Sequence, residues 1–264
     1  MAIGAHPDDC EFLFGATAVK FKEMGHRVMF LSMTNGCSGH HIDHGAAMAS
    51  RRYGEIQAVS KLTGIEYAMT DIPDGLLTTD IRSREIMMRE IRAFQPDVIL
   101  THRPNDYHPD HRSAGTLVMD CSYLVMVPHV TPDSPPLKKA PVILYMYDNF
   151  TYPCPFVPDI AVSVDDVSDQ KTAMLNCHAS QVYEWLPWVG GYSDEVPPDA
   201  KNRIKWLESF INKRDAEPAA KCRQILERRY GKEKAKKIKY CEAFQICEYG
   251  ARAEIKELDK LFPQ

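Results

Sequence analysis

The chain contains no run of about 18 uninterrupted apolar residues, so nothing in it is suited to spanning a membrane. Its first residues also lack the basic, then apolar, then small-residue order of a secretory signal. No CxxC pair occurs. The eight cysteines (10, 37, 121, 154, 177, 222, 241 and 247) are scattered, which suggests neither a zinc ribbon nor a thioredoxin-like motif. In a chain of 264 residues with room for a substantial core, buried thiols in a reducing, cytoplasmic setting are expected instead. Strong charge of either sign is missing too. A net charge of -4 gives no general electrostatic reason to bind nucleic acid or an anionic membrane, and points to a small-molecule substrate. There is no internal repeat and no low-complexity segment. Met1 to Ala5 reads as a strand running straight into the first motif, which is compatible with a natural protein that begins earlier and carries a leader.

What is present is a regular rhythm. With 44% hydrophobic and 26% charged residues, the composition is that of a globular protein. Short apolar runs at Met1 to Ala5, Arg27 to Met33, Glu66 to Met69 and Asp97 to Thr101 alternate with helical patterns near Phe12 to Met24, Met48 to Leu62, Arg84 to Phe94 and Asp110 to Met126. Alternation of this kind implies right-handed crossovers and a largely parallel sheet covered on both faces. The expected fold class is therefore α/β, doubly wound and Rossmann-like, with core strand order 3-2-1-4-5. Two more strands are expected at Val142 to Tyr147 and Ile160 to Val164, then a helix from Val167 to Tyr183. Residues 199 to 240 are rich in lysine and arginine with helical spacing, Tyr240 to Cys247 reads as a late strand, and Ala251 to Leu261 as a closing helix. One domain over 1–264 is expected: a core at 1–185, a helical insertion at 186–240 and a closing strand and helix at 241–264.

In a doubly wound sheet, ligands bind outside the carboxyl ends of the strands, at the switch point where crossovers diverge. His6-Pro7-Asp8-Asp9 leaves the first strand and His108-Pro109-Asp110-His111 follows the fourth. In the expected order those strands are neighbours, so both runs should meet in one crevice. A dinucleotide site is excluded at the first turn, which has no GxGxxG and puts two carboxylates where a pyrophosphate would lie. Two histidines and a carboxylate make a catalytic zinc set with a position left for water. Six polar groups (His6, Asp8, Asp9, His108, Asp110 and His111) are enough for three ligands, a base, an electrophile and an orienting partner. With Pro109 in the first turn of a helix, His108 and His111 fall three apart on one face, where one can bind metal while the other reaches the substrate.

These motifs resemble the LmbE/PIG-L family of metal-dependent N-deacetylases. Further points of resemblance are Glu11, Thr34-Asn35-Gly36, Arg52 with Glu55, the helix carrying His178, Ser180 and Gln181, and Glu242-Ala243-Phe244; the stretch Leu186 to Lys239 resembles it least. The resemblance implies that His6, Asp9 and His111 bind the metal, that Asp8 is the general base, and that His108 stabilises the oxyanion. It further implies that Asp110 orients a histidine and that Arg52 contacts substrate. Cys10 departs from the glutamate that many members carry there.

The expected activity is hydrolysis of the N-acetyl group of an N-acetylglucosamine-type amino sugar or glycoconjugate, releasing acetate, with Zn2+ as cofactor and Fe2+, Co2+ or Mn2+ acceptable to the same donors. An amidase acting on a thiol-sugar conjugate and a non-catalytic ligand-binding domain are the alternatives. No nucleic-acid partner is expected, and a homo-oligomer is compatible with the sequence. Around this centre, His40, His41 and His44 read as a substrate-side loop rather than a second metal site, since no rigid element fixes them. Arg52 with Glu55 also fits a plain helical ion pair, His178 a packed core histidine, and Trp185 and Trp188 either core packing or a wall against a sugar.

Overall fold

A computed structural model describes the whole chain, Met1–Gln264. Its first four strands are β1 (Ala2–Gly4), β2 (Met29–Ser32), β3 (Glu66–Met69) and β4 (Val98–Thr101). The helices between and after them are α1 (Asp9–Glu23), α2 (Gly45–Thr63), α3 (Ile81–Phe94) and α4 (Pro109–Leu124). Then come β5 (Val142–Met146), β6 (Ile160–Ser163) and α5 (Ser168–Asn176). The chain continues through a π-helix (Ser180–Trp185), α6 (Leu186–Gly190), α7 (Ala200–Lys221), α8 (Arg223–Tyr230) and α9 (Lys232–Ala235), and ends with β7 (Cys241–Gly250) and α10 (Ile255–Leu261). The seven strands lie in the order β3-β2-β1-β4-β5-β7-β6. Pairings from β3 through β5 are parallel, and β7 enters antiparallel between β5 and β6. The expected 3-2-1-4-5 core is therefore present. No helix is long and apolar enough to cross a membrane.

Strand residues alternate between two cores because successive Cβ atoms point to opposite faces. Ala2, Phe30, Leu100 and Leu144 join Phe14 of α1, Val59 of α2 and Met174 of α5 on one side. Ile3, Leu31, Ile99 and Ile143 join Met87 and Met88 of α3 and Leu117 and Val118 of α4 on the other. Each such side chain contributes about 1.5–3 kcal/mol by leaving water. The two cores fix α1 and α4 on opposite faces of adjacent strands β1 and β4, with their N-termini at the same edge.

The structure departs from the sequence expectation at the helix expected over Val167 to Tyr183. It ends at Asn176 and resumes as the π-helix, running on into α6. Pro187 cannot donate the bond that would close an α-turn onto Tyr183, and buried His178 turns inward at the break to reach Glu11 at 2.6 Å. All eight cysteines carry free thiols, five of them buried.

Candidate active site

The first turn is tight because residue 4 is glycine. A Cβ there would meet Cβ of Asp9 at 2.7 Å, so only glycine lets the turn fold back against the start of α1. Asp9 Oδ2 then accepts the N–H groups of Ala5 (2.9 Å) and His6 (2.8 Å). Across the crevice, His108 is the N-cap of α4, with Pro109 at the first helical position. The His108 Nδ1 accepts the Asp110 N–H at 3.1 Å. His111, one turn in, points the same way.

Three donors converge. His6 Nδ1 lies 3.1 Å from His111 Nε2 and 3.6 Å from Asp9 Oδ2, and His111 Nε2 lies 3.4 Å from Asp9 Oδ1. Ligands bound at about 2.0–2.1 Å in a tetrahedron are separated by about 3.3 Å, a spacing these contacts approach with Asp9 presenting Oδ2 to His6 and Oδ1 to His111. The groups of single donor atoms that lie within 4.8 Å of one another here include His6, His108 and His111, and Asp9, His102 and His111. His108 is beside them, its ring 4.5 Å from that of His6 and 5.1 Å from that of His111. The outer nitrogens of the two rings face carboxylates: His6 Nε2 has Asp74 at 3.1 Å and Asp110 at 3.4 Å, and His111 Nδ1 has Asp106 at 3.1 Å. Asp110 itself accepts the N–H groups of Gly75 and Leu77. Imidazoles backed by carboxylates are oriented and made more basic, as metal-binding histidines are.

The charges respond to this packing. Burial opposes ionisation of Asp9, but the charges of His111 and His102 prevail and hold it well below the usual carboxylate range. For His108 burial, then the neighbouring His6 and His111, push the imidazole below its ordinary value.

Asp8 and Arg52 meet at this site. Asp8 Oδ2 lies 3.1 Å from Arg52 Nη2, while Arg52 also donates to Glu55 at 3.0 Å, to Ser180 Oγ at 3.3 Å and to the Pro7 carbonyl. Arg52 is almost wholly buried, so its guanidinium is spent largely on the protein.

A cavity of about 800 Å³ opens from these residues. Its lining includes His6, His108 and His111 together with Arg103, Asp148, Arg214 and Asp215. Trp185 lines it and stacks on half-exposed Trp188, the ring centroids 5.5 Å apart. His41 stacks on Trp188 in turn. His40 bonds Glu184 at 3.0 Å; none of the three loop histidines belongs to a group that could hold a metal ion.

Sequence reasoning missed Asp74, His102 and Asp106. His102 directly follows β4, so the strand-end rule that found His6 should have flagged it. Asp106 precedes the second motif by two residues. Asp74 falls in a loop after β3 and has no spacing that would reveal it.

Comparison with known proteins accords with this arrangement. Residues 1–122 match the family profile described as PIG-L, GlcNAc-PI de-N-acetylase. The chain is 27% identical over 205 residues, 71% of this chain and 72% of the relative, to the diacetylchitobiose deacetylase of Thermococcus kodakarensis. It is 22% identical over 193 residues, 70% of this chain and 74% of the relative, to the 4-oxalmesaconate hydratase of Pseudomonas putida. Among solved structures, the N,N'-diacetylchitobiose deacetylase of Pyrococcus horikoshii superposes with a TM-score of 0.70 at 22% identity, covering 93% of this chain and 82% of that one. Residues 1–122, which carry β1 to β4 and both histidine-bearing turns, are thus a domain of the PIG-L (LmbE-like) family.

Proposed function

We propose that the chain is a zinc-dependent hydrolase that removes the acetyl group from an N-acetylated amino sugar or glycoconjugate, with His6, Asp9 and His111 as metal ligands. The observation that carries this reading is the meeting of the His6, Asp9 and His111 side chains at 3.1–3.6 Å, with Asp8 and His108 lining the same cavity. A divalent metal in this set would lower the pKa of a water and polarise the amide carbonyl. Asp8, held through one oxygen by Arg52, takes the proton of the attacking water and returns it to the departing amine. His108 has its Nδ1 committed as an acceptor, so its neutral form carries the proton on Nε2, ready to donate to the developing oxyanion. Asp110 and Asp74 orient His6, and Asp106 orients His111. Fe2+, Co2+ or Mn2+ would suit the same donors.

The hydratase relative raises a second reading, addition of water to an unsaturated, carboxylate-bearing substrate. The cavity lining opposes it. Eight carboxylates (Asp8, Asp9, Asp74, Asp106, Asp148, Asp215, Glu217 and Glu242) outnumber the cations beside them: the guanidiniums of Arg52, Arg103 and Arg214, and the ammoniums of Lys171, which pairs Asp215 and Glu242, and Lys221, which pairs Glu217. Such a lining suits a neutral or cationic ligand over a polyanion. The test is acetate release from a panel of N-acetylglucosamine derivatives, before chelation, after it, and after zinc is restored. Activity indifferent to chelation refutes the metal mechanism, and water addition to an unsaturated acid without acetate release refutes the deacetylase.

A further inference from the structure

We infer that His102 is a positioning residue that braces the Asp9 carboxylate and holds the His111 ring in place, an inference resting on the ligand set proposed above. Asp9 Oδ2 is saturated. It accepts two backbone N–H groups, from Ala5 and His6, and faces His102 Nε2 at 3.0 Å. A carboxylate oxygen offers about two lone-pair sites, which the two backbone N–H groups already engage, so the His102 ring is a further partner that fixes how the carboxylate is turned. The other oxygen, Oδ1, lies 3.4 Å from His111 Nε2. The backbone donors come with the β1 to α1 turn whatever residue 102 is. The His102 ring nitrogen is the only side-chain partner of this oxygen from beyond that turn; it also lies 3.3 Å from the Ala5 nitrogen, and it ties the turn to the end of β4.

The same imidazole packs flat on His111, centroids 4.1 Å apart and planes within 7°. It therefore touches two of the three proposed ligands. Gly115 explains how it comes to be there. A Cβ at 115 would meet the His102 carbonyl oxygen at 2.4 Å, so glycine lets α4 press onto the strand end, and His111, one turn earlier in α4, lies over the His102 ring. His102 is 3% exposed, so its ring is fixed by packing from both sides and braces the carboxylate it faces.

The competing role is that His102 ligates the metal itself, since its ring nitrogen lies within 4.8 Å of donor atoms of Asp9 and His111. The full chain, loaded with Zn2+ for chelator competition and with Co2+ for visible absorption, separates the two. His102→Phe keeps the flat contact with His111 and removes the donor; it should weaken zinc binding about 10–100-fold, and His102→Gln, which keeps an N–H, should recover most of the loss. The Co2+ spectrum should be the same in all three. Gly115→Ala should reproduce part of the loss with His102 intact, and with Gln it carries the test if the Phe variant does not fold. Affinity of His102→Phe within about twofold of the parent, or a Co2+ spectrum showing one nitrogen fewer, overturns the inference. If the parent takes up no zinc, or His6→Ala binds as well as the parent, the proposed ligand set has failed instead.

Discussion

Arg52 and Asp8 face each other at 3.1 Å across the crevice, both almost wholly removed from water, with Arg52 also engaging Glu55 and Ser180. The resemblance to known deacetylases cast Arg52 as a substrate contact, and its guanidinium does border the cavity, but four protein groups already occupy it. Arg52→Ala leaves two buried carboxylates uncompensated and should destabilise the fold by about 3–5 kcal/mol. Urea unfolding checks this. A loss below about 1 kcal/mol would mean that water replaces the guanidinium without cost.

Asp8→Asn preserves shape and removes the proposed base. Turnover should fall by about two to four orders of magnitude while zinc content stays at the parent level. Acetate release and metal analysis on the same sample decide it, and a variant that loses metal as well would make Asp8 a ligand.

Metal removal and pH should interact. Burial pulls the His6 imidazole down, but Asp110, Asp74 and Asp9 outweigh it and raise it well above the usual value. Burial likewise opposes His111, and Asp9 and Asp106 raise it. A group whose folded pKa is raised stabilises fully below its unfolded value, about 6.5, and loses that contribution as pH rises through the folded one. Metal-free protein should accordingly lose melting temperature above about pH 6.5, whereas the gain on adding zinc should grow over the same range, because binding displaces those protons. Calorimetry with and without chelator reads both slopes. Parallel curves would refute the proton competition.

Arg92 offers a test remote from the chemistry. Buried under α4, its guanidinium donates to the carbonyls of Leu124, Val125, Val127, Val130, Thr131 and Ser134. Arg92→Met fills similar space and leaves these acceptors unmet, so a loss of at least about 3 kcal/mol is expected from thermal or urea unfolding. The helix that carries His111 would lose its far anchor.

The fold of the first 126 residues was legible because strand-like and helical patterns alternate there without interruption; alternation alone also allows other doubly wound orders, and the expected 3-2-1-4-5 is the one present. Beyond Val167 local pattern was a poorer guide. The helix break before the π-helix goes with the pull of Glu11 upon His178, a contact 167 residues away in sequence, and Pro187 bears on the π-turn that follows. In the site, the two tetrads announce themselves as motifs. Asp74 does not, because what makes it matter is the position of His6 Nε2 in space. His102 was readable as a strand-end residue, but its contact with His111 was not, because that depends on Gly115 letting α4 close over it.

The surplus of carboxylates around the cavity acts on the two ends of the proposed reaction unequally. Hydrolysis turns a neutral amide into an ammonium group and an acetate anion. The lining repels the acetate and attracts the ammonium, so the chain should expel one product quickly and retain the other. Amine departure would then limit turnover, and added salt, by screening that attraction, should speed the enzyme where it would ordinarily be neutral or inhibitory.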